Sequence, residues 1–152
     1  MINFVVTATM AIGVLAAAPK APQWETNYGK ALEETRSGQD PLLIVLDKPK
    51  SKEARIEPAL LSEEKVSGET SKLLKPYRLC HVDVTTEYGQ KVAQAFHAKE
   101  FPQVTIIDKT GSLVIFKKTG QIDSAEWQKI LSRHKTGESA TSNCPNCQRN
   151  KL

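Results

Sequence analysis

Two cysteines three apart, in Cys144-Pro145-Asn146-Cys147, are the residues of this chain best spaced for chemistry. Two thiols at that separation can close into a disulfide and reopen, with the thiolate as the attacking group. The same spacing is half of a zinc knuckle, and a structural zinc site asks for four ligands. The chain holds three cysteines and three histidines, so Cys80, His81, His97 and His134 are the remaining ligand candidates. His134 is near enough in sequence to reach the tail pair. Cys80 and His81 are neighbours in an alternating segment and point to opposite faces, which counts against a site within one chain. Two tails sharing one ion across a dimer is the other arrangement. From Lys135 onward the chain is Ser, Thr, Asn, Gly and Lys with almost no apolar residues, a composition that stays unfolded until something binds it. A dithiol there has no helix terminus to lower its pKa and is expected to exchange slowly.

Other groups read as structural. Cys80, in a strand-like segment, behaves as a small buried hydrophobe. His97, at the end of a helix-like segment, suits a capping cation. Asp83 and Asp108 end strands and suit turns. Ser51 with Lys48 or Lys52 lacks an oxyanion hole and an orienting third group, so it is not read as a nucleophile.

The elements that must position these residues follow from periodicity. Trp24, Tyr28, Ala31, Leu32 and Thr35 recur at spacings of three and four, which predicts a helix over 24–37 with Thr26 or Asn27 as its cap. Leu42 to Leu46 is a continuous apolar run, the pattern of a central strand covered on both faces. Asp47 to Pro58 is polar and basic, a loop. Residues 60–74 read as a helix weakened at Ser67 and Gly68. Residues 77–84 alternate, with Tyr77, Leu79, His81 and Asp83 on one side and Arg78, Cys80, Val82 and Val84 on the other. Thr85 or Thr86 can cap a helix that runs to Ala98. Residues 104–107 and 113–116 flank Asp108-Lys109-Thr110-Gly111 as a hairpin, and 124–133 closes the domain as a helix.

Of 152 residues, 25% are charged, with 21 Lys+Arg against 17 Asp+Glu and a net charge of +4. The basic residues are scattered among acids, and the densest group, Lys48, Lys50, Lys52 and Arg55, is diluted by Glu53 and Glu57. No nucleic-acid partner is expected. The stretch from Phe4 to Ala18 is apolar, and no charged side chain precedes Lys20. That length suits a secretory signal better than a full membrane span. An export signal or an uncleaved anchor through residues 1–18 is expected, with an apolar element of the fold as the alternative. The protein is accordingly placed outside the cytoplasm: periplasmic, secreted or membrane-anchored. The domain plan is leader and linker 1–23, folded domain 24–134 and tail 135–152.

The order of these elements resembles the thioredoxin-like fold. Trp24, Tyr28, Ala31-Leu32 and Pro41-Leu42-Leu43-Ile44-Val45 look like the opening of exported thioredoxin-like proteins. His81-Val82-Asp83-Val84-Thr85 resembles the second strand. Phe101-Pro102-Gln103-Val104-Thr105-Ile106-Ile107-Asp108, followed by Gly111, resembles the segment with the family's cis-proline, and Pro102 takes that place. The resemblance covers about 110 residues, enough for a core of its own. It implies an α/β domain with a central mixed sheet of about four strands flanked by helices. It also implies a C-x-x-C just after the first central strand, at a helix N-terminus that makes the first thiol a nucleophile. Counted from Pro41, those places fall near Ser51 and Ala54. The usual preceding Trp falls at Lys50, and the usual buried acid at Val45. No dithiol chemistry is therefore expected at that site.

The expected function is a redox-inactive domain that binds a peptide or protein in a groove formed by Lys50, Ser51, Lys52, Phe101, Pro102 and Gln103. In the family, the backbone beside the cis-proline pairs with an extended substrate. One alternative is a thiol–disulfide oxidoreductase working through Cys144 and Cys147. Another is zinc binding by those two residues in a dimer. No cofactor is expected for the domain itself.

Overall fold

The apolar run after Pro41 forms the middle of a sheet. In the computed structural model, which describes residues 23–61 and 68–138, Leu42–Asp47 is a strand whose six residues are all buried. The elements in chain order are β1 (Trp24–Glu25), α1 (Tyr28–Gly38), β2 (Leu42–Asp47), α2 (Pro58–Leu61), α3 (Gly68–Leu74), β3 (Arg78–Asp83), α4 (Glu87–Ala95), β4 (Gln103–Ile107), β5 (Val114–Thr119) and α5 (Ser124–His134). The sheet order is β1-β3-β2-β4-β5. β2 lies parallel to β3 and antiparallel to β4, β1 pairs parallel with β3, and β4 and β5 form the antiparallel hairpin.

The sheet has five strands rather than four. Residues Trp24 and Glu25, expected to open the first helix, pair with Leu79 and Cys80 instead. Asn27 starts α1 by accepting a hydrogen bond from the Lys30 N–H, which leaves Trp24 outside the helix. The Trp24 indole N–H donates to the Leu61 carbonyl at 2.9 Å. A spacing of four between Trp24 and Tyr28 is thus met by strand, turn and helix together.

Helices cover both faces. Leu43, Val45, Leu79, Val104 and Ile106 pack under α2, α3 and α5, with Trp127 and Leu131 fully buried among them. Leu42, Ile44, Leu46, Cys80 and Val82 pack under α1 and α4, against Ala31, Val92 and Ala93. The alternation expected in 77–84 holds: Tyr77 and Leu79 face the first cluster, and Cys80, Val82 and Val84 the second. Burial pushes the Tyr77 hydroxyl's pKa well above the usual phenol range, and the hydroxyl donates to the Leu131 carbonyl at 2.7 Å.

Two further boundaries moved. The helix expected over 60–74 is α2 and α3, with residues 62–67 outside those described. α4 stops at Ala95 rather than Ala98. Its end is closed by backbone bonds from His97 N–H to Gln94 O and from Ala98 N–H to Ala93 O, with His97 at φ 50°. That is the left-handed C-terminal closure usually given to glycine, so His97 ends its helix through its backbone. At the other end of α4, Gly89 lies on β3 so closely that a Cβ would fall 2.0 Å from the Asp83 carbonyl oxygen.

The hairpin turn is organised by Asp108. One carboxylate oxygen accepts the N–H groups of Ser112 and Leu113 at 2.8 and 2.9 Å, and the other accepts the Thr110 hydroxyl at 2.6 Å. Burial pushes this carboxyl's pKa up, but the Thr110 hydroxyl and the turn N–H groups outweigh it and hold the pKa below the usual value. No helix among the described residues is long and apolar enough to cross a membrane. The apolar leader, residues 4–18, lies outside the described residues.

Two outcomes follow. Gly89→Ala forces α4 off β3 and should cost about 2–3 kcal/mol, read as a lower urea midpoint at unchanged slope. Asp108→Asn should cost about 1–2 kcal/mol at pH 7. Because the folded-state pKa is depressed, that carboxylate's contribution is complete above the ordinary value of about 3.9 and fades as pH falls through the folded value. The gap between wild type and variant should therefore close in acid, measured by urea unfolding from pH 7 to pH 3.

Candidate functional site

The ends of β2 and β3 and the start of β4 meet at one end of the sheet. Lys48 follows β2, Val84 and Thr85 follow β3, and Phe101-Pro102 leads into β4. The loop after β2 folds back on itself through Lys48 N–H to Ala54 O at 2.9 Å, Ser51 N–H to Lys48 O at 2.9 Å and Ala54 N–H to Ser51 O at 3.3 Å. The side-chain amide of Gln121, just past β5, ties this loop down. Its nitrogen lies 3.0 Å from Glu53 O, 3.1 Å from Arg55 O and 3.5 Å from Lys52 O.

A buried acid is present at this end, and it is Asp47 rather than the Val45 position. Asp47 is 2% exposed. One of its oxygens accepts the Ile56 N–H at 3.0 Å, and the other lies 2.9 Å from His81 Nε2, which donates to it. Sequence reasoning placed Asp47 in the loop and expected no buried acid here. The strand in fact runs on to Asp47, in register with Asp83 of β3. The imidazole of His81 also meets the Trp24 ring edge-on, with centroids 6.2 Å apart.

The Asp47–His81 pair has the form of an acid–base couple, but the thiol nearest in sequence, Cys80, faces the opposite side of the sheet. Burial pushes the Cys80 thiol up to about 12, so it is neutral at physiological pH. The sequence has no cysteine anywhere between Asp47 and Leu61. No group of three or more His, Cys, Asp or Glu among the described residues could hold a metal ion. Cys144 and Cys147, and with them the disulfide and the shared-zinc arrangements, lie outside the described residues.

The other expected site residues divide into surface and interior. Lys50 and Lys52 are exposed, and Ser51 is half-buried with its hydroxyl 3.5 Å from Glu53 Oε2. The Phe101–Pro102 peptide bond is cis. Pro102 is buried, and its carbonyl accepts the Gly120 N–H at 2.8 Å. Gln103 is fully buried. Its amide donates to Thr105 Oγ1 at 3.2 Å and its Oε1 has no partner, so its side chain faces the interior and not the groove.

Phe101 itself is half-buried, and neither its N–H nor its carbonyl has a hydrogen-bond partner among the described residues. Its ring is one wall of an open groove of ≈ 550 Å³ lined also by Lys48, Val84, Ala93 and Gln94. The Lys48 ammonium lies 5.4 Å from the centre of the Phe101 ring. A bulky residue beside Pro102 thus shapes a groove and does not fill it. Sequence reasoning placed the groove between the Asp47–Arg55 loop and Phe101-Pro102 but missed α4 as part of its wall, because nothing in α4's periodicity marks which exposed residues face Phe101.

The last described residues lie at the other end of the sheet. Gly137 accepts the Lys109 N–H at 3.1 Å, and a Cβ on it would lie 3.0 Å from Pro41. Since Asp47 joins β2, β3 and the loop, Asp47→Ala leaves both the Ile56 N–H and His81 without their acceptor. It should cost about 2–3 kcal/mol in urea unfolding. The Ile56 amide proton should exchange faster in the variant, with exchange in α5 rising only by the global loss of stability.

No protein-family model and no curated protein matches the chain. Solved structures do. A thioredoxin from Thermus thermophilus superposes with a TM-score of 0.65 at 15% identity, over 85% of this chain and 99% of that one. A thioredoxin of Malassezia sympodialis gives 0.56 at 16%, over 78% and 95%. A disulphide isomerase from Xylella fastidiosa Temecula1 gives 0.54 at 16%, over 76% and 98%. Identities this low speak of architecture and not of activity. With its five-stranded mixed sheet flanked by helices on both faces, the chain has the thioredoxin fold.

Proposed function

We propose that this domain binds an extended peptide or protein segment at the Phe101 end of the sheet and performs no dithiol chemistry there. The observation that carries the reading is the Phe101 backbone. Its N–H and carbonyl stand without partners among the described residues, at a half-buried position, beside a loop that holds no cysteine. Unpaired backbone groups at the margin of a sheet accept a partner strand, and adjacent pockets then read alternate side chains. The groove next to Phe101 supplies such a pocket. The oxidoreductase and shared-zinc readings rest on Cys144 and Cys147, and the binding reading makes Cys144→Ser silent. Export of the chain, with residues 1–18 as signal or anchor, belongs to the same proposal and places the partner outside the cytoplasm.

The test is selection of peptides from a random extended library against the full chain, followed by amide hydrogen exchange. Selected peptides should bind with Kd of about 1–100 μM and slow exchange at Phe101 N–H, equally in wild type and in Cys144→Ser. A library that yields no binder, or binders that leave Phe101 exchange unchanged, would overturn the proposal.

A further inference from the structure

One dipeptide just past β5 reaches both sides of the binding end. The Gly120 N–H donates to the Pro102 carbonyl at 2.8 Å, next to Phe101. The side chain that follows goes to the loop after β2. The Gln121 amide nitrogen lies 3.0 Å from Glu53 O, 3.1 Å from Arg55 O and 3.5 Å from Lys52 O. None of these three carbonyls accepts another hydrogen bond among the described residues. Only a donor can serve three acceptors, so the amide faces them with its nitrogen and not its oxygen.

The backbone behind this amide is fixed on both sides. Gly120 turns the chain at φ 88°, a left-handed value that suits glycine. Ile122 is buried in the core with Trp127. Asp123 then caps α5 by accepting the Glu126 N–H at 2.7 Å. The Gln121 side chain, in contrast, is exposed, and hydrogen bonds made within reach of water are individually modest.

The loop it holds carries one edge of the groove. Lys48 opens the loop: its N–H donates to Ala54 O and its carbonyl accepts the Ser51 N–H, both at 2.9 Å. Its ammonium lies 5.4 Å from the centre of the Phe101 ring, and both residues line the ≈ 550 Å³ groove. Asp47 anchors the loop at the Ile56 N–H. Between Lys52 and Arg55, the hydrogen bonds that reach another element are those from Gln121.

We propose that Gln121 is a positioning residue for the binding end. Its amide N–H groups hold the 52–55 backbone and, with Gly120 on Pro102, fix the separation of Lys48 and Phe101 at which the groove accepts a side chain. Without those donors, residues 48–55 shift as one closed turn while the sheet and Phe101 stay in place. This inference rests on the peptide-binding reading above and names what sets the shape of the site.

The experiment measures amide hydrogen exchange of the full chain as wild type, Gln121→Met and Gln121→Lys, each checked for intact fold by circular dichroism. Met keeps the unbranched length and removes the donors, whereas Lys supplies three. Exchange at the Lys48 and Ala54 N–H groups should rise about tenfold in Gln121→Met, with α5 unchanged, and return to within about twofold of wild type in Gln121→Lys. A peptide selected on the wild type should bind Gln121→Met about three- to tenfold more weakly and Gln121→Lys as it binds wild type. Both are measured in about 0.2 M salt, which screens the added charge from Lys52 and Arg55. Loop exchange that Gln121→Met leaves unchanged would overturn the inference, whether or not peptides bind. Faster loop exchange with undiminished affinity would overturn it and leave peptide binding standing. Weaker binding that Gln121→Lys fails to restore would also overturn it, since the loss would not come from the donated hydrogen bonds. A random library without a binder would overturn the peptide reading and this inference together.

Discussion

A carboxylate removed from water is costly unless its oxygens find donors, and Asp47 meets that demand with two of them. One comes from β3, through His81, and the other from the loop, through the Ile56 N–H. The pairing is long-range in sequence: the loop partner is nine residues away and the histidine thirty-four. Satisfying one buried group therefore closes the loop, sets its height above the sheet and keeps the ends of β2 and β3 level. Gln121 then holds the same loop from the side of β5. The candidate site is shaped by what this carboxylate requires.

The strands do the rest. β2 is hydrogen-bonded on both sides and buried along its whole length, Asp47 included. Phe101 sits on the antiparallel neighbour, just past the register pair Leu46–Gln103. There the ladder stops and its backbone groups become available. Pro102 cannot donate a backbone hydrogen bond, so the ladder has no simple way to continue through it. A cysteine-free loop thus lies on one side of this end of the sheet, and on the other a residue whose backbone has no partner among the described residues.

Much of this was legible in the sequence, and the failures have definite causes. The buried run Leu42–Leu46, the alternation from Tyr77 to Val84, the hairpin around Gly111 and the last helix follow from period and turn chemistry, which act locally. β1 was not legible. Two residues carry no period, and their strand character comes from pairing with Leu79 and Cys80, far away in the chain. Asp47 was misread because a lone acid at the end of an apolar run is indistinguishable from the start of a polar loop until its partners are known. The unpaired Phe101 backbone and the inward Gln103 likewise depend on which neighbours the fold brings up.

Trp24 enters the sheet level with Leu43, and Gly137 leaves it beside Pro41. Both therefore lie at the same end of β2, while Asp47 and Phe101 lie at the other, about 17 Å away for a strand of this length. The domain has a root and a tip. A contact made at Trp24 or Gly137 is a contact at the root, and it leaves the tip with Asp47 and Phe101 about a strand's length away, free to meet something else at the same time.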